Sequence, residues 1–392
     1  MSDSVPNLSA APAANLLATA PTTHQLRIQF TGSGSEYFRI WIVNLLLMLV
    51  TLGIYFPWAK VRRLRYFHGN TLVDGAPLDF HGSPSKMLKG YLLVGLLFML
   101  YSAAGQFSAT AGLIAFLIVM AIAPALLKSS MQFRLANTSW RGMRFSFRGS
   151  LPDVYRAVLP LLLPSLVILA ALTGVTNPDK PPTWYLATFA VVMLATLAVL
   201  PWLFWNLKQY QHNHYALASL QTTFTATVGS FYKLLLKVFG LTLLTLVMAI
   251  LPMAAMGYLS RSNGSFNPSR MVVLALLPVL GMLIIFVGVK PYVISHLQNL
   301  VWTRTGNSSL RFISKLGFKP LLWLTLKNWL LMILTLGLYW PFAAVSLARM
   351  RLEAVSVKTR SSPDTLVSEI GAADGDAAGD AAGDLFGLDI GL

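Results

Sequence analysis

The stretch TLGIYFPWA at residues 51–59 ends the first long apolar run of the chain, and TLGLYWPFA at 335–343 ends the last one. A gap-free alignment of the two runs pairs identical residues: Asn44 with Asn328, Thr51 with Thr335, Gly53 with Gly337, Tyr55 with Tyr339, Pro57 with Pro341 and Arg65 with Arg349. Glycine and proline four residues apart loosen the hydrogen-bond ladder of an α-helix, so we expect a kink or a break near Gly53 and Gly337. We interpret the two runs as homologous units.

The composition places the chain in a membrane. Of its 392 residues, 55% are hydrophobic and 11% are charged, and the mean hydropathy is +0.63, which is too apolar for a water-soluble fold of this length. A helix needs about 20 apolar residues to span a bilayer. Eight apolar runs lie near 38–56, 90–104, 110–127, 157–174, 184–205, 234–257, 271–289 and 321–343. The expected fold class is an all-α polytopic membrane protein, a helical bundle of about eight membrane segments.

The charges divide the chain into blocks. Residues 37–352 contain 27 Lys and Arg against four acidic residues, whereas the stretch 353–392 contains two basic and eight acidic residues. The basic residues collect in four segments between the apolar runs, and the alternate loops, such as SAAGQFSAT, carry little charge. By the positive-inside rule, the basic segments lie in the cytoplasm. The sequence therefore indicates a basic membrane body that carries an acidic tail.

The cytoplasmic segments contain a repeated motif. NTLVDGAPLDFHG (70–82) aligns without a gap with NTSWRGMRFSFRG (137–149), and weaker copies occur at 214–226 and 302–314, with a half copy, IQFTG, at 28–32. Asn-Thr, a central glycine and then alternating apolar residues are typical of a short β-hairpin with one apolar face. The weaker copies have His214 and Trp302 at the asparagine position. We therefore predict short repeated cytoplasmic β-hairpins between the membrane segments.

The stretch FRIWIVNLLLMLVTLGIYFPWAKVRRLRYFHGNTLVDGAPLDFHG, which ends at Gly82, resembles the signature of the YjgN-like bacterial inner-membrane proteins, a family of unknown function. The resemblance runs from about residue 25 to 352 and is strongest at 37–82, with a further match at 296–351. It implies a multi-pass protein of the bacterial inner (cytoplasmic) membrane. It implies no activity, substrate or catalytic residue.

The duplicated ending leaves two topologies open. If the half hairpin at 28–32 is cytoplasmic, an unbroken first span would put the basic residues from Lys60 to Arg65 outside, against the positive-inside rule. In one solution the first and last segments are re-entrant, with the chain turning back near Gly53. In the other, both termini lie outside and all eight segments cross. Backbone that turns within lipid is costly unless its polar groups are satisfied, which counts against the re-entrant solution.

Few polar residues fall within the apolar runs. The candidate membrane-embedded polar residues are Asn44, Thr51, Asn328 and Thr335. No carboxylate lies inside any apolar run, which weakens the case for a proton-driven transporter. Interhelical hydrogen bonding is the ordinary role of such asparagines, and pore lining is the alternative.

A basic cluster follows the first span directly. Its candidate contacts to anionic lipid are Lys60, Arg62, Arg63 and Arg65. Bases interleaved with aromatic residues also occur in nucleic-acid-binding proteins, but the position next to a membrane span favours anionic headgroups. The expected partner is the bilayer, with no nucleic acid, and an unidentified small solute is a further candidate.

The sequence offers little for catalysis. It has no cysteine, which excludes disulfides, thiolate catalysis and cysteine metal sites. His212 and His214 alternate on one side of a segment interpreted as strand-like, but no acidic residue accompanies them. Asp79 and His81 share a face of the first hairpin without a nearby serine nucleophile. We expect no enzyme, no metal and no cofactor.

Three regions follow from these patterns: a disordered leader (1–24), a domain of repeated hairpins and spans (25–352), and an acidic, low-complexity, disordered tail (353–392). A permease or channel for a small solute ranks first among the functions, because of the duplication and the basic cytoplasmic side. The alternative is a non-transporting scaffold that organises the membrane or binds lipid. A transporter requires the four polar residues to line one path, whereas a scaffold would have them hydrogen-bonded in a sealed core.

Overall fold

A computed structural model describes residues 24–177, 179–217, 220–262, 276 and 285–360. Most of the predicted leader and of the predicted tail lies outside these residues. The helices are α1 (Gly34–Val50), α2 (Phe56–Gly69), α3 (Pro84–Phe107), α4 (Ala109–Ala136), α5 (Leu151–Leu172), α6 (Thr183–Asn213), α7 (Val228–Ser262), α8 (Lys290–Thr303), α9 (Phe318–Leu334) and α10 (Trp340–Glu353), with a π-helix at Ile285–Val289. The strands are β1 (His24–Phe30), β2 (Thr71–Val73), β3 (Ala76–Phe80), β4 (Thr138–Trp140), β5 (Met143–Phe147), β6 (Tyr215–Leu217), β7 (Leu220–Gln221), β8 (Thr223–Phe224), β9 (Thr305–Gly306), β10 (Leu310–Ser314) and β11 (Val355–Thr359).

All eleven strands belong to one antiparallel sheet, in the order β7-β6-β5-β4-β3-β2-β1-β11-β10-β9-β8. The two outermost strands, β7 and β8, are separated in sequence only by Thr222, so the sheet curls into a nearly closed barrel. The expectation of an all-α bundle is therefore wrong. The physical reason is that an isolated hairpin is marginally stable and exposes two edges, and pairing the hairpins edge to edge removes both problems.

The barrel has a packed interior. Leu26, Trp140, Met143 and Val357 are each at most 7% exposed there, and apolar residues from the other strands surround them. The indole Nε1 of Trp140 donates to the carbonyl oxygen of Val73 at 3.1 Å, which satisfies its only donor. Apolar side chains from the strands therefore fill the interior of the barrel.

A Phe-X-Gly motif joins the strands to the helices that follow them. Phe80 at the end of β3 and Phe147 at the end of β5 are buried, and each ring lies against the glycine two residues later. A Cβ atom at Gly82 would lie 2.5 Å from the Phe80 ring, and one at Gly149 would lie 2.6 Å from the Phe147 ring. The glycine is therefore needed where the chain leaves the barrel under its own aromatic ring.

The repeated Asn-Thr pair ends the preceding helix. Asn70 and Asn137 each donate from Nδ2 to the carbonyl oxygen four residues earlier, at 2.8 Å. His214 occupies the corresponding C-cap position, and its Nδ1 lies 2.7 Å from the carbonyl oxygen of Tyr210. In the fourth copy the C-cap is Arg304, so the gap-free alignment that put Trp302 there is wrong by two residues.

The helices come in pairs that leave the sheet and return to it. Among the described residues, five individual helices are long and apolar enough to cross a membrane: Pro84–Phe107, Ala109–Ala136, Leu151–Leu172, Thr183–Asn213 and Val228–Val247. The expectation of about eight membrane segments is thus wrong for the described residues, because α1 and α9 have only 17 residues each. The predicted run at 271–289 lies mostly outside the described residues. Consecutive helices pack on each other along the chain, and α10 packs on α1, so the helices form a ring above the barrel.

Candidate functional site

The two TLG stretches form tight turns between antiparallel helices, α1 with α2 and α9 with α10. Gly53 and Gly337 have φ of 89° and 90°, and the leucines before them, Leu52 and Leu336, have φ of 51° and 49°. Glycine adopts this left-handed conformation without the steric cost that a Cβ atom brings. The helix is broken rather than kinked, and both ends of each helix pair lead into strands of the barrel.

The backbone N–H groups in each turn have acceptors within the turn. From residue 51 to 56 the donors find these partners: Thr51 to Leu47 O, Leu52 to Leu49 O, Gly53 to Met48 O, Ile54 to Thr51 O, Tyr55 to Thr51 Oγ1 and Phe56 to Gly53 O. The same pattern occurs from Thr335 to Trp340. Backbone that turns within lipid is tolerated only when its polar groups are satisfied, and these donors are.

The threonines of the motif have a specific role in this pattern. The Thr51 hydroxyl donates to Leu47 O at 2.7 Å and accepts from Tyr55 N at 3.1 Å. Thr335 donates to Leu331 O at 2.6 Å and accepts from Tyr339 N at 3.0 Å. Each hydroxyl thus gives an acceptor to the one turn amide that the backbone leaves without one.

The tips of the turns are apolar and exposed. Leu52 is 93% exposed and Leu336 is 94% exposed, and the adjacent Val50 and Leu334 are also exposed. A 17-residue helix is about 25 Å long, slightly less than the roughly 30 Å hydrocarbon core of a bilayer. Apolar tips at that distance from the barrel match a hydrocarbon environment better than water.

The two asparagines are buried inside their own helix pairs. Asn44 is 5% exposed, and its Oδ1 accepts from Nη1 of Arg62 at 3.5 Å. Asn328 is 6% exposed, and its Nδ2 donates to Oγ of Ser346 at 3.2 Å, while its Oδ1 has no partner among the described residues. Arg62 and Ser346 occupy equivalent positions in the alignment of the two runs. The four predicted polar residues thus have their hydrogen-bond partners within their own units, two residues in each unit.

The predicted lipid-contacting residues lie on α2. Lys60 donates to the hydroxyl of Tyr91 at 2.6 Å, and the guanidinium of Arg62 lies 5.6 Å from the centre of the Tyr55 ring. The guanidinium of Arg63 lies 5.6 Å from the centre of the Trp340 ring, and Arg65 is exposed. Aromatic contacts orient two of these cations without neutralising them, so contact with anionic lipid stays a prediction.

The first and last units pack side by side, which the sequence did not predict. Trp340 at the start of α10 lies 6.2 Å from Tyr37 and 6.1 Å from Trp41, measured between ring centres. Farther along α10, Arg349 donates to the carbonyl oxygens of Phe30 and Gly32, where β1 leads into α1. These contacts form the seam between the first and the last unit.

The predicted histidine pair belongs to a helix end, not to a strand. His212 is in the last turn of α6, is 4% exposed, and places Nδ1 3.0 Å from Oγ1 of Thr305. His214 caps the same helix. Among the residues that the structure describes, no group of three or more His, Cys, Asp or Glu could hold a metal ion.

A serine does lie beside the Asp79–His81 pair. Nε2 of His81 is 2.8 Å from Oγ of Ser139 and 3.9 Å from Oδ2 of Asp79. Sequence reasoning missed Ser139 because it is on the next strand, β4, opposite Asp79. In a catalytic triad the acid holds the imidazole nitrogen that faces away from the serine. Here both groups approach the same nitrogen, so the arrangement is not that of a triad.

The long helices expose much of their apolar surface. Between 6% and 17% of the residues in the most apolar part of each candidate span are buried. Leu194, Phe98 and Leu251 are each more than 60% exposed. The hydroxyls of Thr188 and Thr196 donate to their own helix. The surface that these helices offer therefore suits hydrocarbon chains.

Comparisons with known proteins identify one family model and several relatives. A family model described as "Bacterial protein of unknown function (DUF898)" matches residues 25–385. The inner membrane protein YjgN of Salmonella typhimurium is 31% identical over 152 residues, which is 38% of this chain and 38% of that protein. The inner membrane protein YjgN of Escherichia coli K12 is 28% identical over 137 residues, 34% of each chain. The matched stretch thus spans little more than a third of the length of these relatives.

No solved structure matches the chain significantly. The relatives' names and the five apolar helices confirm the prediction of a bacterial inner-membrane protein. The family match covers most of the sequence and confirms the resemblance found in its motifs. The chain therefore belongs to the DUF898 family of bacterial proteins of unknown function.

Proposed function

We propose that this protein is a non-transporting lipid-binding scaffold of the inner membrane, the alternative to the permease that ranked first on sequence. The observation that carries the proposal is the local use of the four polar residues: Asn44 and Asn328 are buried, and Thr51 and Thr335 are bonded within their turns. A pore for a polar solute would need such groups along one path. The packed barrel at the end of the helices also supports a scaffold.

The surfaces of the two layers fit lipid in different ways. The helices present hydrocarbon-like faces, and only a small share of their most apolar parts is buried against protein. The basic residues toward the barrel end of α2, such as Arg65, would contact anionic headgroups at the cytoplasmic surface. The two short units would enter the membrane from the barrel side and turn within it, as duplicated copies of one element.

Two assays on the purified full chain test this proposal. Lipids that co-purify in mild detergent are quantified by mass spectrometry, and we expect them to be enriched in anionic species relative to the source membrane. Liposomes that contain the protein should pass chloride, glycerol and phosphate no faster than protein-free liposomes. Solute flux that disappears when Asn44 and Asn328 are both changed to leucine would overturn the scaffold and restore the permease.

A further inference from the structure

A cavity of about 370 Å³ lies between α9, α10 and the end of β10. Its polar lining consists of Lys315, Ser346, Arg349 and Glu353, and its apolar lining includes Leu324 and Met350. The cavity is at the end of the unit next to the barrel, where the preceding sections place the membrane interface. It therefore combines charges with an apolar wall at the level of lipid headgroups.

The first unit fills the equivalent space with its own side chains. In the alignment that pairs Asn44 with Asn328, the residues there are Arg62 in place of Ser346, Tyr66 in place of Met350 and Glu36 in place of Pro320. The Tyr66 hydroxyl donates to Ser33 O at 2.8 Å, lies 3.1 Å from Oε2 of Glu36, and accepts from Ser33 N at 2.8 Å. The last unit has smaller or uncharged residues at each of these positions, which leaves the space open.

An unsatisfied buried atom provides a second, independent observation. Oδ1 of Asn328 has no hydrogen-bond partner in the part of the chain that the structure describes, although Asn328 is 6% exposed. In the first unit the corresponding atom of Asn44 accepts from Arg62. Ser346, which bonds to Nδ2 of Asn328, also lines the cavity. A buried acceptor without a partner is costly, so the last unit lacks a donor that the first unit supplies from its own chain.

The charges in the cavity have both signs. Arg349 is fixed by its bonds to the carbonyl oxygens of Phe30 and Gly32, and Oε1 of Glu353 accepts from Phe30 N at 3.3 Å. Lys315 is exposed at the rim. The Glu353 carboxylate would repel a purely anionic ligand, and Lys315 and Arg349 would repel a purely cationic one. A ligand that carries a phosphate and an ammonium group matches both signs.

From these observations we infer that the cavity binds the headgroup of a zwitterionic phospholipid with a primary ammonium. Its phosphate lies beside Lys315 and Arg349, and its ammonium lies toward Glu353. The acyl chains follow the apolar face of α9, where Trp323 is 71% exposed. This inference rests on the proposed lipid binding, and it adds one site for a zwitterionic lipid to the anionic lipids expected around the basic surface.

The test uses the delipidated full chain in detergent, titrated with phosphatidylethanolamine, with phosphatidylglycerol and with free phosphoethanolamine, and followed by native mass spectrometry. We expect phosphatidylethanolamine to bind about tenfold more tightly than the other two, the scale of one charge-assisted contact. Ser346→Arg fills the cavity as Arg62 fills it in the first unit, and should abolish this binding. Lys315→Ala should weaken it about tenfold.

Three further variants test the ligand's charge preference and the position of the site. Glu353→Gln should remove the preference for phosphatidylethanolamine over phosphatidylglycerol, and Lys319→Ala, a base outside the cavity lining, should change nothing. Met350→Tyr replaces Ser346→Arg if that variant does not fold. Unchanged binding in both the Lys315 and the cavity-filling variants would overturn the site, and equally tight free phosphoethanolamine would overturn a lipid ligand. Co-purifying lipid without this binding would leave the scaffold proposal intact.

Discussion

The first and last helix pairs have the same backbone turn but different interiors. Both have left-handed glycines, and both use a threonine hydroxyl to satisfy the same amide. Beneath the turn, Asn44 is bonded to an arginine of its own unit, whereas the carbonyl oxygen of the Asn328 side chain has no partner within the described ranges. The two units therefore share the turn, but the space beneath it is filled in the first unit and open as a cavity in the last.

The largest expected effect comes from removing the turn hydroxyl. Thr51→Val or Thr335→Val keeps the shape of the side chain but leaves the N–H of Tyr55 or Tyr339 without an acceptor. We expect a loss of about 3 kcal/mol in the free energy of unfolding, because a donor that the proposed function places in hydrocarbon would have neither a protein partner nor water to bond to. Thermal unfolding in detergent would measure it. The control is Thr188→Val, whose hydroxyl only donates to its own helix, and an equal effect there would contradict the role of the turn hydroxyl.

The asparagines should respond differently to the same change. Asn44→Leu removes the partner of Arg62 and should destabilise the protein by about 2 kcal/mol, as expected for breaking a hydrogen bond to a charged group. Asn328→Leu breaks the bond from Nδ2 to Ser346 but also removes a buried acceptor that has no partner among the described residues, so the two effects offset and the net change should be close to zero. Denaturation curves of the two variants in the same detergent give the difference directly. An equal loss of unfolding free energy in both variants would show that the two asparagines have equivalent surroundings.

Substitution of the turn glycines should have a smaller effect that is equal in the two units. A Cβ atom at Gly53 or Gly337 meets no atom of the described residues within 4 Å, so only the left-handed backbone opposes alanine. We expect Gly53→Ala and Gly337→Ala each to cost about 1 kcal/mol. Gly69→Ala, in equally open space without a positive φ, is the matched control. A stabilising result at Gly53 would mean that the turn has another conformation.

The smallest effect is expected at the seam between the units. The guanidinium of Arg63 lies over the rings of Phe67 and Trp340. Arg63→Ala should lower the melting temperature by an amount that corresponds to about 0.5 kcal/mol, the usual contribution of an exposed cation–π contact. A double-mutant cycle with Trp340→Ala isolates the part that belongs to the seam. If the effects of the two substitutions are fully additive, the contact between Arg63 and Trp340 does not contribute to stability.

Several elements of the fold could be predicted from short stretches of sequence. The break at Gly53 follows from glycine and proline spacing, and the hairpins at 70–82 and 137–149 follow from turn residues with alternating apolar positions. The fourth hairpin was misplaced by two residues because its capping asparagine is replaced by Arg304. The pairing of β1 with β11 was not predicted. β1 precedes and β11 follows all the described helices, and no hairpin turn connects either strand to a neighbouring one.

The candidate site was predictable only in part. The sequence identified Asn44, Thr51, Asn328 and Thr335 as unusual polar residues, and all four occupy defined positions in the two units. The hydrogen-bond partners of these residues could not be predicted, because they depend on which helices pack against each other. Ser139 beside His81 and Ser346 beside Asn328 were missed for the same reason: each pair joins residues from different elements.

A membrane protein, the positions of its helix breaks and its family could all be predicted from the sequence, because apolar runs, glycine and proline positions and motif residues are local properties. The closure of the hairpins into one barrel, the packing of the first unit on the last, and the difference between a filled and an open cavity could be seen only in the folded molecule. These outcomes depend on hydrogen bonds and contacts between residues far apart in the chain, whose partners no local pattern specifies.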